Sequence, residues 1–311
     1  MLKIDHLTKI YRTGAFGNKE LRAVDDVSFE IKDGEVVSLI GESGSGKSTI
    51  GKMILRLISI SGGKILFNGT DIATLRGSAL KAYYREVQGV FQDPFSSYNP
   101  IFKADRVFEK IRQEFFPQIK SREWQERVES ALSSVGLNPV HVSNKYPHQL
   151  SGGQLQRFLI ARALLLDIKF LVADELISML DASTRIDVLN LLAELKTTGL
   201  SILFITHDLS LGYYISEHSV ILYRGAIMEM GATEKIFSNT LHPYTRMLVA
   251  SVPRMDMKWR DVKQPLKAPH AAAQNGCAYY DRCTLADAEC AAARPPLVEV
   301  EKDHWVACRK L

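Results

Sequence analysis

Gly41-Glu-Ser-Gly-Ser-Gly46-Lys47-Ser48-Thr49 has the G-x4-G-K-[ST] spacing of a loop that wraps a phosphate chain. Glycines at 41, 44 and 46 let backbone N–H groups turn onto phosphate oxygens, and the start of the following helix adds positive potential. Lys47 is placed to reach the β and γ phosphates and the Ser48 hydroxyl to ligate Mg²⁺, with Ser43 and Thr49 in the same cradle. Far downstream, Asp174-Glu175 closes an apolar run. A carboxylate at a strand's C-terminal edge is where a metal–phosphate centre needs an acid, so Asp174 reads as the metal-side group. Glu175, one residue on, reads as the group that polarises an attacking water. Leu150-Ser151-Gly152-Gly153-Gln154 offers a serine and a glycine pair at a second helix start, a second candidate anion site.

These residues need a scaffold, and the hydrophobic pattern supplies one. Val36–Ile40, Phe170–Ala173 and Leu200–Thr206 are almost continuously apolar, as expected of parallel strands buried on both faces. Residues 2–31 alternate apolar and polar positions, which predicts an antiparallel sheet with one wet face, interrupted by a loop from Arg12 to Glu20. A helical run is expected over 49–59. From about Pro94 to Gln149 the pattern turns helical. Trp124, Val128, Leu132 and Val135 form one apolar stripe and Gly136 is placed to end it. The expected fold is α/β: a P-loop ATPase core with an antiparallel β subdomain, an inserted helical subdomain at about 94–160, and a small cysteine-containing C-terminal extension. The expected division is 1–235 and 236–311, with Arg254–Gly276 as a linker. No internal repeat is evident.

With its helix and its place between phosphate loop and Asp-Glu strand, the LSGGQ run resembles the signature of the ATP-binding cassette ATPases. Other motifs follow in that family's order. Gln92 in Val-Phe-Gln-Asp-Pro resembles the Q-loop, Leu180-Asp181 the D-loop, and His207 in Ile-Thr-His-Asp the switch histidine. Tyr11 falls where the family places an aromatic residue under adenine. The resemblance covers residues 2 to about 235. It implies ATP hydrolysis with Mg²⁺, metal contacts from Ser48, Gln92 and Asp174, catalysis by Glu175 with Gln92 and His207, and a head-to-tail dimer. In that dimer Ser151, Gly152, Gly153, Gln154 and Asp181 would meet nucleotide held by the other cassette. Leu176 and Met179 depart from the proline and alanine usual in the family, which bears on the loop after Glu175.

Leu241-His-Pro-Tyr-Thr-Arg-Met-Leu248 and the 91–100 stretch resemble the peptide and nickel importer subgroup, which also includes oligosaccharide importers. All four cysteines fall late, as C-x5-C-x6-C-x17-C from Cys277 through Cys283 and Cys290 to Cys308. Clustered thiols in a cytosolic chain read as metal or cluster ligands. The C-x2–4-C pairs usual for structural zinc are absent, and four thiolates also suit an iron–sulfur cluster. Resemblance to the subgroup implies a [4Fe–4S] cluster on these four residues; zinc and unligated thiols remain alternatives.

Length 311, with 46% hydrophobic and 24% charged residues, fits a globular chain of about two domains. A net charge of +4 without a basic block argues against nucleic acid as partner. No apolar run reaches the ~18 residues of a membrane span, and the N-terminus lacks the apolar core of a signal peptide. The expectation is a peripheral ATPase on the cytoplasmic face of the inner cell membrane. Its expected partners are a second, related but different, cassette subunit, two transmembrane permease subunits and an extracytoplasmic solute-binding protein. A non-transport cassette ATPase and an iron–sulfur protein whose cassette handles clusters are the competing classes.

Overall fold

A computed structural model describes residues 1–13, 19–252 and 276–311. Most of the expected linker, and the middle of the expected 12–20 loop, lie outside the described residues. The chain forms two compact units, Met1–Ile31 with Val36–Asp71 and Thr206–Leu311, and Lys32–Glu35 with Ile72–Ile205.

In the first unit, Leu2–Thr13 pairs antiparallel with Lys19–Ile31 on one side and Gly62–Phe67 on the other. The alternation read in the sequence sets the register. Leu2, Ile4, Val27, Phe29 and Ile31 are buried, and their neighbours Lys3, Glu30 and Lys32 are exposed. A separate run of strands begins at Val36–Ile40, every residue buried, which pairs in parallel with His218–Tyr223. The next strand, Ala226–Ala232, returns antiparallel through a tight hairpin. Its turn uses Arg224 at φ 45° and Gly225 at φ 81°, the two positive-φ positions that a right-twisted two-residue hairpin requires. His304–Val306 then covers the far side of Ala226–Ala232, and Val298–Glu301 pairs outside it. The C-terminal segment packs into a core with Ile40, Ile221, Tyr223, Met228, Tyr244 and Tyr279.

The second unit holds three parallel strands, Val87–Val90, Phe170–Asp174 and Ser201–Thr206. The latter two are buried throughout, as expected of their almost continuously apolar runs. Helices surround them, including Ser121–Ser134, Gly152–Leu164 and Ala182–Thr197. In the first of these Trp124 and Leu132 are buried, Val135 is buried just past the end, and Gly136 turns the chain at φ 71°.

The helix after the phosphate loop differs from expectation. It spans Lys47–Ile54 and stops well short of residue 59. Arg56 adopts φ 52°, and the Leu57 N–H donates back to the Lys52 carbonyl at 2.9 Å. This left-handed exit closes the helix while Leu55, whose side chain continues the apolar pattern, stays in the core.

Candidate functional site

The first unit carries the phosphate loop. Gly46 caps the helix Lys47–Ile54 at φ 103°, ψ −2°, so the chain turns sharply from strand into helix. A side chain there is excluded twice over: the backbone conformation favours glycine, and a Cβ would lie 2.4 Å from the Ala23 carbonyl oxygen. The loop is pinned from beneath by the Gly225 N–H, which donates to the Ser45 carbonyl at 2.8 Å. Lys47 is 4% exposed. Its Nζ donates to the carbonyls of Gly41 at 2.7 Å and Glu42 at 2.9 Å, which hold the ammonium at the loop's mouth. Ser48 and Thr49 are half-buried on the first helical turn, while Ser43 and Gly44 are exposed. Tyr11 is only partly buried near a strand end, with the Lys9 ammonium 5.1 Å from its ring centre. His207 is exposed. Its neighbour Asp208 caps the helix Leu209–Ile215 by accepting from Ser210 N–H at 2.8 Å and Leu211 N–H at 3.4 Å. Asp208 thereby fixes the backbone on which His207 sits.

The second unit carries the carboxylates and the signature loop. Asp174 ends its strand and is 7% exposed. Glu175 leaves the strand at φ 48°, a left-handed conformation that costs a non-glycine residue about 1–2 kcal/mol. Such strain persists where the surroundings over-determine it, commonly at functional sites. Here the Glu175 N–H donates to Ile205 at 2.9 Å, and its carbonyl accepts from Ser178 N–H at 3.1 Å and Oγ at 2.9 Å. Of the two departures from the family pattern, Leu176 is buried and Met179 exposed.

Ser151 starts the helix Gly152–Leu164 with a reciprocal capping box. Its Oγ accepts from Gln154 N–H at 3.2 Å, and its N–H donates to Gln154 Oε1 at 3.0 Å. Asp181 caps Ala182–Thr197 in a similar way. Hydrogen bonds from Ser183 Oγ and from the Thr184 N–H and hydroxyl hold its carboxyl well below the usual range. The structure brings these two helix starts together. A Cβ on Gly153 would lie 2.7 Å from Thr184 Cγ2, and Arg157 pairs with Asp187 at 2.9 Å.

Gln92 is exposed after the strand Val87–Val90. Two residues not singled out in the sequence support this segment. Gln156 donates to the Phe91 carbonyl at 3.4 Å and Arg162 to Gly89 at 2.9 Å, both from the signature helix. Their signal was available: polar side chains on a helix face otherwise lined by Leu155, Phe158 and Leu159.

The four cysteines line one small cavity together with His242. Burial pushes the Cys277 thiol up to about 11 and raises Cys283 and Cys290 as well. His242 is pushed down to about 4 by burial, so its ring is neutral, and Nδ1 accepts from the Tyr244 N–H at 3.0 Å. Among the described residues no group of three or more His, Cys, Asp or Glu side chains is gathered closely enough to hold a metal ion. The donor set, four thiols facing one space, suits a thiolate-ligated group; the spacing would have to close around it.

Comparison with known proteins agrees with this geometry. Residues 24–178 match the ABC transporter family, and 228–290 match the oligopeptide/dipeptide transporter C-terminal region. The chain is 41% identical to the oligopeptide transport ATP-binding protein AppF of Bacillus subtilis, over 96% of this chain and 92% of that one. It is 37% identical to OppF of Haemophilus influenzae, over 94% and 89%. Among solved structures it resembles the dimeric, ADP- and phosphate-bound cassette MJ0796, with TM-score 0.67 and 29% identity over 75% of this chain and 99% of that one. The chain belongs to the ABC transporter ATPases. It is an ATP-hydrolysing cassette with the P-loop fold, and it carries the C-terminal region of the oligopeptide/dipeptide type. Among its described residues, no helix is long and apolar enough to cross a membrane.

Proposed function

We propose that this ATPase drives a binding-protein-dependent importer of peptides. The observation that carries the reading is the matched C-terminal region, joined to a chain that has both a phosphate loop and a capped, glycine-paired second helix start. One such chain offers two different anion surfaces, which pairing with a second cassette would use. The partners we assign are a related second cassette, two permease subunits and an extracytoplasmic solute-binding protein, with the ATPase docked on the cytoplasmic face of the membrane. We read 1–235 as the cassette and 236–311 as the appended extension.

In the first unit, the loop N–H groups and Lys47 hold the phosphates, Ser48 offers its hydroxyl to Mg²⁺, Tyr11 underlies the adenine and His207 contacts the γ-phosphate. In the second, Asp174 and Gln92 face the metal side, and Glu175 orients and polarises the water. Ser48, Asp174 and Gln92 would hold a Mg²⁺ that, when bound, would supply neutralisation of charge on the phosphate oxygens; phosphoryl transfer otherwise relies on positioning. The strained backbone at Glu175 fits a carboxylate held for one geometry. In the tail, Cys277, Cys283, Cys290 and Cys308 are the residues that would hold a [4Fe–4S] cluster. The thiol protons of Cys277, Cys283 and Cys290, held on by burial, would have to leave on ligation.

Glu175→Gln tests the hydrolytic assignment. ATP binding is expected to persist while turnover falls by about 10²–10⁴-fold, the usual worth of a general base. Wild-type turnover in this variant would overturn it.

A further inference from the structure

We propose that the C-terminal extension is part of the nucleotide site: Tyr244 and Arg282 are positioning residues that hold the phosphate loop through Glu42. A generic phosphate loop asks nothing of its second residue. Here every polar group of that residue has a partner. The Glu42 carbonyl accepts from Lys47 Nζ at 2.9 Å. Its N–H donates to the Tyr244 hydroxyl at 3.0 Å. Its carboxylate is gripped by Arg282 Nη1, at 3.0 Å to one oxygen and 2.7 Å to the other. The Ser45 N–H also donates to the Glu42 carbonyl at 3.2 Å, and the Tyr244 and Arg282 anchors come from residues more than 200 positions away in the chain.

Those anchors are themselves fixed. Tyr244 is fully buried, and its ring packs 4.7 Å from that of Tyr223 and 5.3 Å from that of Tyr279. The Arg282 guanidinium lies 5.7 Å from the Tyr279 ring centre and 5.9 Å from that of Tyr223. Tyr223 in turn begins the hairpin whose Gly225 pins Ser45. The extension therefore sets the peptide on which the lysine rests.

Charge gives the clasp a second effect. An unpaired Glu42 carboxylate beside the loop would repel a nucleoside triphosphate, and Arg282 neutralises it. Lysine placement and charge compensation both act on ATP binding, so they should appear in KM and nucleotide affinity with kcat nearly constant. The pair is partly solvated, 39% exposed on each side, which limits the effect of losing it to roughly two- to fivefold.

The proposal rests on the phosphate loop being the ATP site, which Lys47→Ala checks separately by abolishing nucleotide binding. The test measures ATP affinity with a fluorescent analogue, steady-state kinetics and melting temperature in the full chain. Arg282→Ala should raise KM and the dissociation constant about two- to fivefold, and Arg282→Lys should recover part of the loss. Glu42→Gln placed in the Arg282→Ala background should restore affinity, because it removes the uncompensated charge. Tyr244→Phe should weaken binding with little change in kcat. Unchanged KM in Arg282→Ala, even with a lowered melting temperature, overturns the proposal. So does strict additivity of Arg282→Ala and Glu42→Gln.

Discussion

Replacing Gly46 by alanine separates the two reasons for glycine in the phosphate loop, because Gly44 provides an internal control. Both residues have positive φ, 103° at Gly46 and 79° at Gly44. A Cβ at Gly44 meets nothing within 4 Å, whereas at Gly46 it lies 2.4 Å from a backbone oxygen that cannot swing aside. Gly44→Ala should therefore show conformational strain alone, about 1–2 kcal/mol. Gly46→Ala adds crowding of the overpacked kind, and the loop must lift by about an ångström, straining the Gly225–Ser45 hydrogen bond; the total should reach about 3–5 kcal/mol. At about 2–4 °C per kcal/mol, nucleotide-free melting should separate the variants by several degrees. Gly46→Ala should also lose ATP binding, since the N–H groups that meet phosphate move with the loop. Equal melting temperatures for the two variants would refute the crowding against Ala23 and the reasoning built on it.

Two further outcomes are expected. His304→Ala leaves Glu229 wholly buried with only the Leu241 and His242 N–H groups, at 2.9 and 3.0 Å, to satisfy it. Denaturant unfolding should show a loss of about 2–4 kcal/mol, below the full cost of stripping a buried pair because those two donors remain. Anaerobically purified wild-type protein should contain iron and acid-labile sulfide and absorb in the visible, and Cys283→Ser should lose both; an iron-free wild type would end the cluster assignment.

Much of the architecture was readable from local pattern. The almost continuously apolar runs at Val36–Ile40 and Phe170–Ala173 suit strands buried on both faces, which is how they fold. The capped helix starts at Ser151 and Asp181 follow from short-range chemistry between a side chain and the next turn. What escaped reading depends on backbone choices and on partners that the local pattern does not encode. The helix expected to residue 59 ends at Ile54 because Arg56 turns left-handed, a choice that residues of ordinary helix propensity do not announce. Glu175's positive φ is imposed by the Ile205 carbonyl and the Ser178 turn, and its sequence neighbours give no glycine or asparagine to signal it. The late cysteines were conspicuous by spacing, but their shared cavity with His242 exists only because the tail folds back onto the first unit's core. Glu42 carries no requirement within the phosphate-loop motif, and its side-chain and N–H partners, Arg282 and Tyr244, lie more than 200 positions downstream.

The strand Ala226–Ala232 also has a history in time. Its outer edge is covered by His304–Val306, with 75 residues separating Glu229 from His304. At about 5–20 residues per second of synthesis, that edge waits roughly 4–15 s for its cover. During this interval its unpaired N–H and C=O groups could template pairing with another nascent chain. That edge of the sheet then ends on Val298–Glu301, whose glutamates alternate with valines on an exposed rim. Pairing of the tail onto that edge thus exchanges an unpaired border for a charged one.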